Sequence, residues 1–169
     1  MTEAATPHAV TQSAHVPAIS HRRYRLSPGS NVLFVYGTLQ FDAVLDALLS
    51  RVPQRTPASA PGWRAAALEG RLYPGLVAAP DATATGLLLT DLTNEEWAVL
   101  DAFEDDRYDL RELTLSSGGR GWAYVWPDDE VRAENWDAQY FAVHHLHEYA
   151  ARCGRISATL ARGAADTGR

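Results

Sequence analysis

Residues 31–42 read NVLFVYGTLQFD. Val32 to Tyr36 form an almost unbroken apolar run of β-branched and aromatic residues, as in a strand buried on both faces. The run stops at Gly37-Thr38. Phe41, Val44, Leu45, Leu48 and Leu49 then recur at helical spacing, and Pro53 bounds the helix. A glycine at a strand end lets the chain turn sharply and lets a ligand come close. The amides of such a turn, and of the first helical turn after it, have no partners within the helix and suit an anion or a developing oxyanion. Thr38 adds a hydroxyl and Tyr36 a phenol. The same residues also fit an ordinary strand–turn–helix in which Thr38 is a local cap.

C-terminal to this segment, Pro57, Pro61, Gly62, Pro74, Gly75 and Pro80 punctuate residues 54–80. That density of turn formers predicts short strands around 63–69 and 76–79 joined by turns. TGLLLTD, residues 85–91, predicts another strand. Thr93-Asn94-Glu95-Glu96 fits a capping box, with Thr93 capping and Glu96 reaching back, and predicts a short helix to about Phe103. Leu110 to Leu115 and Gly121 to Trp126 predict a hairpin around Ser117-Gly118-Gly119. A last helix is expected from about Asp137 to Arg152. Clustered strands with few helices predict an α+β architecture rather than a βαβ repeat. Residues 1–29 are rich in Ala, Pro, Ser, Thr and His without a sustained period, which predicts a disordered leader. With a flexible tail expected over 157–169, a single domain remains over 30–156.

The charge balance is −6, and no basic run is longer than Arg22-Arg23, which argues against nucleic acid as the main partner. The single cysteine, Cys153, excludes an internal disulfide and a CxxC metal site. It also points to a cytoplasmic location. No apolar run approaches the roughly 20 residues that span a bilayer, so no membrane partner is expected. His144 and Glu148, with His145 and His147 nearby, have a spacing that metal sites use. No HExxH and no thiolate accompany them, so a solvated helix face is the simpler reading. Neither a metal nor an organic cofactor is expected.

Glu104, in WAVLDAFEDDRYDLREL, is the candidate acid/base. At about 100° per residue from Trp97, Leu100 lies at about −60° and Glu104 at about −20°. A continuing helix therefore sets Glu104 between two large apolar side chains, where desolvation raises a carboxyl pKa. If the helix ends at Phe103, Glu104 faces solvent instead. Trp122, Tyr124 and Trp126 alternate and so share one side of a strand. They read as core, with Tyr124 able to turn its phenol to a pocket.

YGTL, YPGLV, TGLLL, LDAFEDDRYDLRELTL and AYVW, in this order, resemble the γ-glutamylcyclotransferase-like superfamily, in particular its AIG2-like branch. The resemblance spans about residues 31–150. It implies a mixed curved sheet forming a partly closed β-barrel, with the pocket at one end. It also implies a small-molecule γ-glutamyl substrate, bound by Tyr36, Gly37, Thr38 and Leu39, with Glu104 as acid/base. Tyr124 and, at the pocket edge, Tyr73 and Pro74 match further positions. Many relatives have Gly after the glutamate, whereas this chain has Asp105. The implied reaction cyclises a γ-glutamyl amide to 5-oxoproline and releases an amine. A related amide-processing acyl transfer, or a binding module without catalysis, shares the same residues.

Overall fold

The structure is a computed structural model that describes residues 32–127 and 131–166. At its centre lies β1 (Leu33–Val35). Antiparallel β3 (Gly75–Leu89) flanks it on one side, with Phe34 opposite Leu88, and parallel β5 (Arg120–Val125) on the other, with Leu33 opposite Trp122. Strand alternation sends Leu33 and Val35 to one face and Phe34 and Tyr36 to the other. All four are buried. Leu33 and Val35 join Val44, Leu45 and Leu48 of α1 (Asp42–Leu49) and Trp97 and Leu100 of α2 (Asn94–Phe103). Phe34 and Tyr36 join a second cluster that includes Ala60, Ala84, Leu113, Ala123 and Val125. Helices cover one face of β1, and the curl of the sheet covers the other. Burial on both faces is therefore reached without the βαβ connections that usually produce it.

The remaining strands are β2 (Arg55–Leu68), β4 (Asp109–Thr114) and β6 (Val131–Asn135). The sheet order is β4-β5-β1-β3-β2-β6. Because β1 is so short, β5 and β3 pair directly beyond its end, with Leu76 opposite Val125. This closes the six-stranded mixed sheet into a half-barrel, as expected for an α+β fold with a partly closed barrel. Among the described residues four α-helices flank it, the last two being α3 (Ala138–His144) and α4 (Leu146–Asp166). No described helix is long and apolar enough to cross a membrane.

The short strands expected around 63–69 and 76–79 are parts of two long ones. In β2, Pro57 and Pro61 pair with β3 on one side, while β6 reaches only Ala66 and Leu68 on the other. Both prolines thus occupy a stretch with no ladder strand on that side, where Ser116 N–H reaches only the Ser59 carbonyl and no ladder donor is missed. The register jumps from Pro61↔Thr83 to Trp63↔Ala78, and Gly62 takes φ +84° at the jump. Glycine and Pro80 mark a bulge rather than a chain reversal. The hairpin of β4 and β5 and the capping box on Thr93 and Glu96 form as expected. The last helix differs: it breaks at His145 and then continues past Arg152 to Asp166. Residues 157–166, expected as tail, are helical, and Ser157 Oγ donates to the Leu48 carbonyl at 3.0 Å. The leader over 1–29 lies outside the described residues.

Candidate active site

Beyond the C-terminal end of β1 the chain passes through Gly37 into a single 3-10 turn, Thr38–Gln40, and then into α1. This turn lines a cavity of about 260 Å³, together with Tyr73 and Pro74 before β3, Glu104 and Asp105 after α2, and Tyr124 on β5. Every site residue expected from the sequence therefore faces one cavity: Tyr36, Gly37, Thr38, Leu39, Tyr73, Tyr124 and Glu104.

Tyr36 ties the cavity floor to the sheet. Its hydroxyl donates to the Tyr124 carbonyl at 2.5 Å and accepts from Leu76 N–H at 3.2 Å. These groups belong to β5 and β3, the strands that β1 separates. The phenol therefore continues the hydrogen bonding where the backbone of β1 has left the sheet. Tyr124 directs its own hydroxyl to Asp101 Oδ1 at 3.0 Å, beneath α2. Gly37 is required by close packing: a Cβ there would lie 2.7 Å from Pro74 Cγ and 2.9 Å from Pro74 Cδ.

Glu104 is the C-cap of α2, extended at φ −67° and ψ 144°, with its N–H donating to the Leu100 carbonyl at 3.0 Å. The helix ends at Phe103, as in the alternative reading, yet the half-buried Glu104 still lines the cavity. Leaving the helix turns the chain into the pocket instead of away from it. Asp105 is held differently. Its carboxylate accepts from Tyr73 Oη at 2.7 Å and from Arg107 N–H at 2.9 Å. Tyr108, just beyond, donates to the Pro74 carbonyl at 2.5 Å. The Glu104–Tyr108 segment is thus fastened to Tyr73-Pro74, and Pro74 packs on Gly37. Arg71 and Arg107 each place a guanidinium 5.0 Å from the Trp126 ring centroid.

These contacts divide the chemistry. Burial would raise the Asp105 carboxyl, but hydrogen bonds from Arg107 N–H and Tyr73 Oη, with the nearby Arg71 charge, hold it below the ordinary range. It stays an anion engaged by its neighbours. Burial, then the Glu104 charge, pushes the Tyr36 hydroxyl up. Burial also raises Tyr108 and Tyr149, with Glu104 adding to each. These phenols remain protonated near neutrality, and those of Tyr36 and Tyr108 serve as donors. Burial lifts the Cys153 thiol to about 11, which leaves it a poor nucleophile. Glu104 is the second carboxylate that lines the cavity.

Four lining residues escaped the sequence reading as a group: Tyr149, Arg152, Cys153 and Ile156. Their i, i+3, i+4, i+7 spacing sets them on one face of α4. The spacing is legible in the sequence, but it does not tell which face of the last helix meets the pocket. Asp105 and Tyr108 also line the cavity. His144, His147 and Glu148 are solvent-exposed. Among the described residues no group of three or more His, Cys, Asp or Glu is placed to hold a metal ion.

AIG2-like protein D of Arabidopsis thaliana is 34% identical over 125 residues, covering 69% of this chain and 82% of the relative. AIG2-like protein C of the same plant is 35% identical over 126 residues, covering 69% and 72%. A solution structure of an Arabidopsis thaliana protein superposes with a TM-score of 0.56 at 26% identity, over 72% of this chain and 87% of that one. An uncharacterised protein of Pyrococcus horikoshii shares the fold, with a TM-score of 0.51 at 18% identity over 70% and 99% of the two chains. The model of the family described as "Gamma-glutamyl cyclotransferase, AIG2-like" matches residues 33–139, from the first strand through Glu104 to the start of α3. The half-barrel, the turn after β1 and the acidic segment after α2 all fall within that match, and the chain belongs to this family.

Proposed function

We propose that the protein is a γ-glutamyl cyclotransferase that converts a γ-glutamyl amide to 5-oxoproline and a free amine, with Glu104 as general acid/base. The observation that carries this reading is that Glu104 and the Tyr36–Leu39 turn line the same small cavity. The substrate's own α-nitrogen attacks its γ-carbonyl carbon, a carbon–nitrogen bond forms, and the original amide bond breaks. The nitrogen enters as an ammonium and ends as a lactam N–H, so it gives up two protons. The departing nitrogen gains two and leaves as an ammonium. No water, metal or redox partner is consumed. Glu104 shuttles these protons one at a time.

The attack is intramolecular, so most of the work is holding the folded substrate in a near-attack geometry. Aromatic walls from Phe34, Tyr36, Phe103 and Tyr124 suit that task. The amides of residues 37–39 are assigned to the substrate carboxylate or the oxyanion. A lone cysteine supports a cytoplasmic setting for this chemistry. The test is incubation with a panel of γ-glutamyl peptides, amino acids and amines, with 5-oxoproline measured by mass spectrometry. Release from at least one class is expected, and no release from any of them would refute the proposal.

A further inference from the structure

The two ends of the cavity differ. Phe34, Tyr36 and Tyr124 are buried, whereas Arg152 on α4 is exposed. Arg152 is the only basic side chain among the described residues that line it, and it shares the lining with two acids, Glu104 and Asp105. Its guanidinium carbon sits 5.4 Å from the Tyr149 ring centroid. Stacking of that kind fixes the plane of a guanidinium while leaving its edge N–H groups to bind an anion. Among the described residues no carboxylate pairs with it. Burial raises the Tyr149 hydroxyl and the Cys153 thiol, and the Arg152 charge opposes both rises, so its field reaches the lining. Ile156, one turn further on, adds an apolar surface beside it.

We propose that Arg152 is a specificity-determining residue: it receives a carboxylate carried by the leaving amine, so that the site prefers γ-glutamyl amino acids to γ-glutamyl amines. This rests on the cyclisation reading above. Cyclisation draws the α-nitrogen and the γ-carbonyl together beside Glu104, and the glutamyl carboxylate travels with the ring. Only the leaving amine extends towards the exposed end. The cavity of about 260 Å³ is small for a ligand pocket, and γ-glutamyl dipeptides therefore reach that end. An α-amino acid leaving group presents its carboxylate to Arg152 and an apolar side chain to Ile156. Arg152 and Ile156 also lie beyond residue 139, where the family match stops, so this end of the pocket is set by the chain's own last helix.

The experiment compares γ-glutamyl-leucine with γ-glutamyl-isopentylamide, which is the same molecule without the leucine carboxylate. For the wild type, kcat/KM is expected to favour the leucine conjugate by about tenfold or more, as for a charge-assisted pair. That preference should shrink when NaCl is raised from about 50 to about 500 mM. In Arg152→Ala the ratio should fall to about threefold or less, and in Arg152→Glu lower still. A ratio unchanged by Arg152→Ala overturns the proposal. So does an equal loss on both substrates, which would assign Arg152 to the glutamyl carboxylate. If the wild type releases 5-oxoproline from neither compound, the cyclisation reading fails for these ligands. Calorimetric binding of the same pair then still decides: a preference lost in Arg152→Ala supports the site, and equal affinities refute it.

Discussion

A methyl group added at Gly37 would press on the Pro74 ring at 2.7 Å, closer than real Cβ contacts come. Its φ of −125° imposes no left-handed strain, so the requirement comes from the neighbour. Pro74 cannot easily yield, because its carbonyl is held by Tyr108 Oη and Gly75 packs against Trp126. Gly37→Ala should therefore cost about 1–3 kcal/mol, the usual range for overpacking, and should weaken ligand binding as well. Urea denaturation and calorimetry measure the two effects. Wild-type stability and affinity in Gly37→Ala would show that the turn tolerates displacement and does not shape the pocket. The sequence indicates that this position must be small, but the reason lies in a proline from a distant segment.

Among the elements, α2 has the clearest local signature and carries Glu104 at its end. Thr93 Oγ1 accepts from Glu96 N–H at 3.2 Å, and Glu96 returns the bond to Thr93 N–H at 3.0 Å. Arg51, just after α1, donates through Nε to Glu96 and through Nη2 to the same carboxylate at 2.8 Å, clamping the two helices. The hydrogen bond from Arg51 is the first cause that holds the Glu96 carboxyl below its ordinary 4.5, with burial opposing it. A lowered pKa adds stability that is complete above the ordinary value and is lost as pH falls through the folded value. Glu96→Gln keeps one oxygen for the capping bond and removes the charge together with the bond that Oε1 accepts from Arg51 Nε. It should destabilise the protein by about 0.5–1 kcal/mol at pH 7, since the pair is partly exposed. The gap should close as pH drops below 4.5. A gap constant across that range in acid titration would show that the ion pair contributes nothing. The capping box was readable because it is local. The true lengths of β2 and β3 were not, because prolines stop a strand only where both edges are paired, and edge status depends on partners far along the chain.

At the scale of the molecule, the cavity exists because a three-residue central strand ends early. The sheet then curls closed past it, and α4, at the far end of the described chain, supplies one wall. The two motifs that meet there were visible in the sequence, as were the residues they bring. Hidden from it were the fastening of Asp105 to Tyr73 and the wall supplied by α4, which depend on how distant segments dock. On the mechanism proposed above, the adjacent carboxylates have different tasks: Asp105 holds the segment, and Glu104 carries protons. The most direct test is kcat for Glu104→Gln beside Asp105→Asn on a γ-glutamyl substrate, with circular dichroism and ligand binding confirming that both variants are folded and occupied. Glu104→Gln should lose at least about 100-fold, as general acid/base groups contribute about 100- to 10,000-fold. Asp105→Asn, which keeps one oxygen for Arg107 N–H and can donate its amide N–H to Tyr73 Oη, should stay within about tenfold of wild type. Normal turnover by Glu104→Gln, or an inactive Asp105→Asn, would contradict the assignment of the proton carrier.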